Sequence, residues 1–168
     1  MSGYNSGQQR PPQGQGGAGN SGRNNWQRGS LESNVNIYAT DFDIVAKAEE
    51  VISGLKKDNY GKPKLTTTQI RKFLSAVNLL NNKVMIYRVQ NQDTNDLSAE
   101  LVAEVRYLKI KLVYQAGRDK ENLIKDFMDK ASLEKAINDI GASMSKYNKF
   151  SKYVEALVAY HKYAGGDR

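Results

Sequence analysis

The sequence runs to 168 residues, enough for one ordinary domain and short for two. Hydrophobic residues make up 39%, the mean hydropathy is -0.65, and no apolar run approaches the ~20 residues needed to span a bilayer. Lys and Arg number 25 against 18 Asp and Glu, a net charge of +7 that points to a polyanionic partner.

Three arginines and one glutamate precede residue 41, so 22 basic and 17 acidic residues leave +5 on the remainder. The charge is not merely a tail effect. No cysteine is present, which excludes disulfides, thiolate metal sites and cysteine nucleophiles and suits a cytoplasmic location. The first residues, Met-Ser-Gly-Tyr-Asn-Ser-Gly, carry neither a basic n-region nor an apolar h-region, so a secretory signal is not expected.

Residues 1 to about 30 are rich in Gly, Gln, Asn and Ser, with Pro11-Pro12 and no aliphatic residue larger than Ala18. Such a segment buries too little apolar surface to offset its ordering entropy, so the expectation is a disordered tail over 1–40 and a helical domain over 41–168. Trp26 lies in this tail, whose arginines among glycines are either a weak RNA contact or simply solvated.

Beyond the tail the periodicity is helical throughout. Asp41 or Asp43 caps a first helix on which Val45, Ala48, Val51, Ile52 and Leu55 recur at three and four residues, ending near Lys57. Asp58 to Pro63 supplies turn residues, with Pro63 disfavouring helix at Lys62. A second helix opens at Thr66, which has capping-box spacing to Gln69. Its inward face is Ile70, Phe73, Leu74, Val77, Leu80, Val84 and Tyr87, and Arg71, Ser75, Asn78 and Asn82 form one polar edge.

The third helix starts near Ser98 and is expected to end at Gly117. Wound at about 100° per residue, it gathers Leu101, Val105, Leu108 and Leu112 into a core sector and Tyr107, Lys111, Tyr114 and Arg118 into another. Ile110 and Val113 point away from the core, so this helix is either central or part of a subunit contact. Lys109 falls about 200° from Lys111, which divides the two cations between different surfaces. Two short helices follow over Lys120 to Lys130 and Ser132 to Ile140, broken at Gly141. A last helix over Lys146 to Tyr163 buries Phe150, Tyr153, Val154 and Leu157. With no useful strand alternation, the fold class is all-α, a compact bundle of five to six helices.

Signs of catalysis are sparse. His161 is the only histidine and shares the apolar face of Val154 and Leu157, the position of a hydrogen-bonded interior residue rather than a general base. A histidine-rich metal site is impossible. Asp41/Asp43 and Glu49/Glu50 read as a helix cap and a solvated face. Gly14-Gln15-Gly16-Gly17 lacks the strand and the Gly-Lys-Ser/Thr sequence of a phosphate loop. No enzyme, cofactor, metal or small-molecule substrate is expected.

The basic positions offer more. The stripe Tyr107, Lys111, Tyr114, Arg118 has two readings: its cations neutralise phosphates while a tyrosine stacks on a base or sugar, or the rings pack under the bundle edge with Lys stems across them. Lys149, Lys152 and Tyr163 form a similar row on the last helix, unless Lys152 pairs with Glu155. Lys62 and Lys64 lead into the Thr-rich helix start, followed one turn later by Arg71; this is either a phosphate site at a helix N-terminus or a plain cap.

Three segments, Leu65-Thr-Thr-Thr-Gln-Ile-Arg-Lys-Phe73, Tyr107-Leu-Lys-Ile-Lys-Leu-Val-Tyr-Gln-Ala-Gly-Arg118 and Tyr153-Val-Glu-Ala-Leu-Val-Ala-Tyr160, resemble the small subunit of the type III-A CRISPR effector, the Csm complex. The resemblance spans most of residues 41 to 166; the Gly/Gln-rich tail has no counterpart in that pattern. It implies a compact helical, noncatalytic protein, assembled in two or more copies as an inner filament beside the crRNA-binding backbone subunits. That filament lies along the guide and target RNA duplex without reading its sequence. Arg71, Lys111 and Arg118 in the matching segments, with Lys64 and Lys152 added from charge, are the expected RNA contacts. The alternative is a helical protein-interaction subunit with only incidental RNA contact.

Overall fold

The computed structural model describes residues 1, 3 and 35–166, and among them it contains six helices and no strand. They are α1 (Ile44–Ser53), α2 (Thr67–Gln90), α3 (Ala99–Arg118), α4 (Leu123–Lys130), α5 (Leu133–Ile140) and α6 (Met144–Tyr163). The all-α bundle expected from the periodicity is the fold. The disorder assigned to the tail, Trp26 included, falls on residues that from 4 to 34 lie outside the described ones.

The boundary expected at residue 41 cuts through packed structure. Ile37 is 1% exposed within the core, and the Tyr38 hydroxyl donates to the Ala136 carbonyl at 2.7 Å. Asp43 is the cap of α1, accepting from the Val45 and Ala46 amides. α1 stops at Ser53 rather than near Lys57, because Gly54 and Leu55 turn back onto Glu50 and Ile52. Leu55 still reaches the core from outside the helix, while Val45, expected inward, is exposed. The segment 56–64 closes as a small loop: Lys64 N donates to Lys56 O, Asp58 N to Lys62 O, and the Asp58 carboxylate accepts from Tyr60 N and Lys62 N.

α2 begins with a complete capping box: Gln69 N donates to Thr66 Oγ1 at 3.3 Å and Thr66 N to Gln69 Oε1 at 2.9 Å. Its buried stripe is Ile70, Phe73, Val77, Leu80 and Val84, with Leu74 and Tyr87 half-buried. α3 folds back along α2 and is joined to it by an ion pair between Lys83 and Glu104. Gly117 lies inside α3, not beyond it, and the cap is Asp119. The Asp119 carboxylate accepts from Glu121 N and Ile124 N, which delays α4 to Leu123. α6 starts two residues earlier than expected, because Ser143 caps it and Met144 N is held by Asn95 O.

α6 is the central strut, packing on α1, α2 and α5. Tyr147 and Tyr153 are fully buried on it, and their hydroxyls donate to Val77 O at 3.0 Å and Ala131 O at 3.2 Å. Burial raises the phenol pKa of both, and of Tyr38, far above the ordinary value of 10.0. Gly166 closes the bundle: its carbonyl accepts from Thr67 N at 3.0 Å, and a Cβ there would stand 2.0 Å from the His161 ring.

Candidate nucleic-acid interface

His161 is fully buried and engaged, as its place on the apolar face of α6 requires. Nε2 lies 2.7 Å from Leu65 O, and a carbonyl only accepts, so Nε2 carries the proton. Nδ1 lies 3.4 Å from Thr67 Oγ1. The ring links α6 to the start of α2. Among the described residues no three His, Cys, Asp or Glu side chains group as metal ligands.

The stripe on α3 exists as the wheel placed it. Lys111 Nζ sits 5.4 Å from the centroid of Tyr107, and the Arg118 guanidinium 5.5 Å from that of Tyr114, whose hydroxyl also accepts from it at 3.2 Å. The two cations are thus held over rings of their own helix, one turn apart. Tyr107 is 54% and Tyr114 63% exposed, so neither ring is packed under a bundle edge. Lys109 pairs with Glu134 on α5 at 3.8 Å, on the other flank, as the division from Lys111 requires.

Lys111 and Arg118 make no ion pair among the described residues, whereas Lys47, Lys83, Lys109, Lys130 and Lys135 all do. A cation without a carboxylate keeps its field for an outside anion. Glu104, bound to Lys83, shares the flank of Lys111 on the wheel, so the stripe looks toward α2. From the Lys83–Glu104 contact, at 1.5 Å per residue, Arg71 lies about 18 Å along α2 and Arg118 about 21 Å along α3, at the same end of the pair. Lys72, not singled out in the sequence, falls nearer α3 than Arg71 does, because the polar edge of α2 turns Arg71 away from it.

Lys64 and Arg71 are exposed at the start of α2, but the amides there are largely spoken for. Thr67 N is taken by Gly166 O and Gln69 N by Thr66 Oγ1. The local geometry is the cap, with the two cations beside it.

Lys152 stands apart from the other four. It lines a cleft of about 460 Å³ between α1, the end of α2 and the start of α6, together with Arg88 and Lys149. No ion pair to Glu155 forms among the described residues. Arg88 is about 26 Å along α2 from Arg71, so the cleft that Lys152 lines reaches the opposite end of α2 from Lys64 and Arg71. Sequence reasoning passed over Arg88. Its signal is there: on the wheel it continues the buried stripe of Val77 and Val84, a cation where an apolar residue would be expected.

A family model described as Csm2 Type III-A matches residues 41–167. The chain belongs to the Csm2 family. Its relatives include proteins named CRISPR system Cms protein Csm2: one of Streptococcus thermophilus is 41% identical over 127 residues, covering 76% of this chain and 95% of its own. One of Mycobacterium tuberculosis is 39% identical over 121 residues, 72% of this chain and 91% of its own. Another, of Enterococcus italicus, is 33% identical over 115 residues, 64% of this chain and 77% of its own. The Csm2 match starts at residue 41 and takes in all six helices, so the family pattern and the helical bundle coincide. Csm2 is the small-subunit family of the type III-A Csm complex, which is the assignment the three segments implied.

Proposed function

We propose that this chain is a noncatalytic subunit of the type III-A effector, forming an inner filament that holds the backbone of the crRNA and target RNA duplex. Lys111 and Arg118 act as the principal phosphate contacts, Lys64 and Arg71 extend them at the same end, and Lys152 meets RNA elsewhere. The observation carrying this reading is the Tyr107, Lys111, Tyr114, Arg118 stripe, exposed at Tyr107, Tyr114 and Arg118 and half-buried at Lys111, whose cations make no ion pair among the described residues. Its tyrosines supply sequence-tolerant faces and its cations backbone contacts, which suits a subunit beside a duplex whose sequence is read by base pairing. Engagement of His161 in two interior contacts supports the noncatalytic part.

A second reading has its own observation. Leu79, Met85, Ile86 and Val89 on α2, and Ile110 and Val113 on α3, are about half or more exposed, which is the pattern of a surface covered by protein. Both surfaces serve one subunit if neighbours cover the apolar part and RNA runs along the cationic flank.

The test is the reconstituted complex carrying Arg71→Gln, Lys111→Gln and Arg118→Gln. Target-RNA affinity is expected to fall uniformly across sequences, with a salt slope shallower by roughly one per lost phosphate contact. Unchanged RNA affinity in an intact complex overturns the RNA reading. Loss of assembly instead makes these residues part of a protein interface.

A further inference from the structure

The cleft beside Lys152 has a composition that the stripe on α3 does not explain. Arg88, Lys149 and Lys152 all line it, joined by Asn95, Ser145 and Asn148, and no carboxylate does. Three like charges converging on one concavity repel one another, an arrangement that an anion relieves. Arg88 adds a second anomaly. It occupies the core-facing sector of α2, yet the helix overshoots the core at this point, so its guanidinium is carried to the cleft rather than into the interior.

Lys149 is fixed in place, donating to Ala39 O at 2.7 Å and lying 5.7 Å from the centroid of Phe42. It contributes field rather than reach. Arg88 and Lys152 are exposed and make no ion pair among the described residues, so they are the groups able to close on a ligand. The first turn of α6 also borders the cleft at Ser145 and adds the positive end of a 20-residue helix.

The remaining lining narrows the ligand. Asn95 and Asn148 bring amides that both donate and accept, and Ile44 and Met144 bring apolar surface. A bare inorganic anion uses neither. At about 460 Å³ the cleft lies within the ~300–1,000 Å³ range of small-ligand pockets. The row of Lys149 and Lys152 continues along α6 toward Tyr163, which gives a polymer a path out of the cleft and a free nucleotide no further contact.

We propose that this cleft is a second phosphate site, separate from the α3 stripe, that takes one nucleotide unit of a single-stranded RNA segment. The phosphate sits between Arg88 and Lys152, and the ribose and base lie over Ile44 and Met144 with Asn95 and Asn148 at their edge. The polymer rests on the RNA reading above; the phosphate chemistry does not.

The experiment is fluorescence anisotropy of a labelled single-stranded RNA 12-mer of mixed sequence titrated with the full chain. Variants are Arg88→Gln with Lys152→Gln, Asn148→Ala, and, in parallel, Lys111→Gln with Arg118→Gln. The Arg88/Lys152 pair is expected to weaken binding about tenfold and to lower the salt slope by roughly 0.7 per lost contact. Asn148→Ala is expected to weaken binding with the slope kept, which a purely electrostatic surface would not produce. Wild-type affinity and slope in the Arg88/Lys152 variant overturn the proposal, whatever Lys111 and Arg118 do. A loss confined to Arg88/Lys152 supports the cleft and counts against the α3 stripe. Displacement of the RNA by millimolar AMP, with AMP binding abolished by Arg88→Gln, overturns the strand and leaves a nucleotide site. Displacement by inorganic phosphate alone overturns the nucleotide.

Discussion

Three phenols carry much of the specificity of this core at the level of single residues. Tyr38, Tyr147 and Tyr153 each donate a hydrogen bond to a main-chain carbonyl distant in sequence, at 2.7, 3.0 and 3.2 Å, so their rings contribute area while their hydroxyls fix register. Burial raises their pKa above the 10.0 of an unfolded chain, with a smaller contribution from Asp139, Glu104 and Glu50 respectively. The native state therefore holds these protons after the unfolded chain has released its own. Stability from this source is complete below pH 10 and is lost as pH rises through the native values. Urea midpoints are expected to be flat from pH 8 to 9.5 and to fall steeply above 10, and Tyr147→Phe should blunt that fall at a neutral-pH cost of about 1 kcal/mol. A flat profile to pH 11.5 contradicts it. The hydroxyl partners were not legible in the sequence, because apolar spacing places a tyrosine on a face without saying which carbonyl waits there.

Helices were the most legible level, and their ends the least. Apolar spacing identified the first three helices and the last, the two short ones were expected between them up to the break at Gly141, and Thr66 with Gln69 announced the capping box that the structure forms. Removing it with Thr66→Ala should cost about 1 kcal/mol, read as a lowered urea midpoint with an unchanged slope. Gly117 misled because a glycine near the end of an apolar pattern resembles a stop, whereas the decisive residue is Asp119, whose carboxylate collects the amides of the next turn. α1 likewise stops early because its last amides bond backward, leaving Leu55 to be buried from a loop. The stripe on α3 was readable since four residues of one helix suffice to make it. The cleft at Arg88 was not, since α1, α2, α6 and the loop at Asn95 contribute to it from distant parts of the chain.

At the level of the molecule, buried and exposed apolar surface have separate roles. The core is continuous from Ile37 to Val158, but Ile86 and Ile110 remain 59% and 58% exposed on adjoining helices. Ile86→Gln with Ile110→Gln touches no core contact, so thermal stability should move by no more than about 0.5 kcal/mol. Incorporation into the effector, measured by co-purification, should drop severalfold if neighbours cover this face. Unaltered incorporation assigns the face no partner.

The turn at Gly166 has a practical consequence. Its carbonyl is tied to the first amide of α2, and a Cβ at this position would stand 2.0 Å from the His161 ring. Any side chain placed at 166 would have to push aside the ring that links α6 to the start of α2, so this position is closed to every residue but glycine.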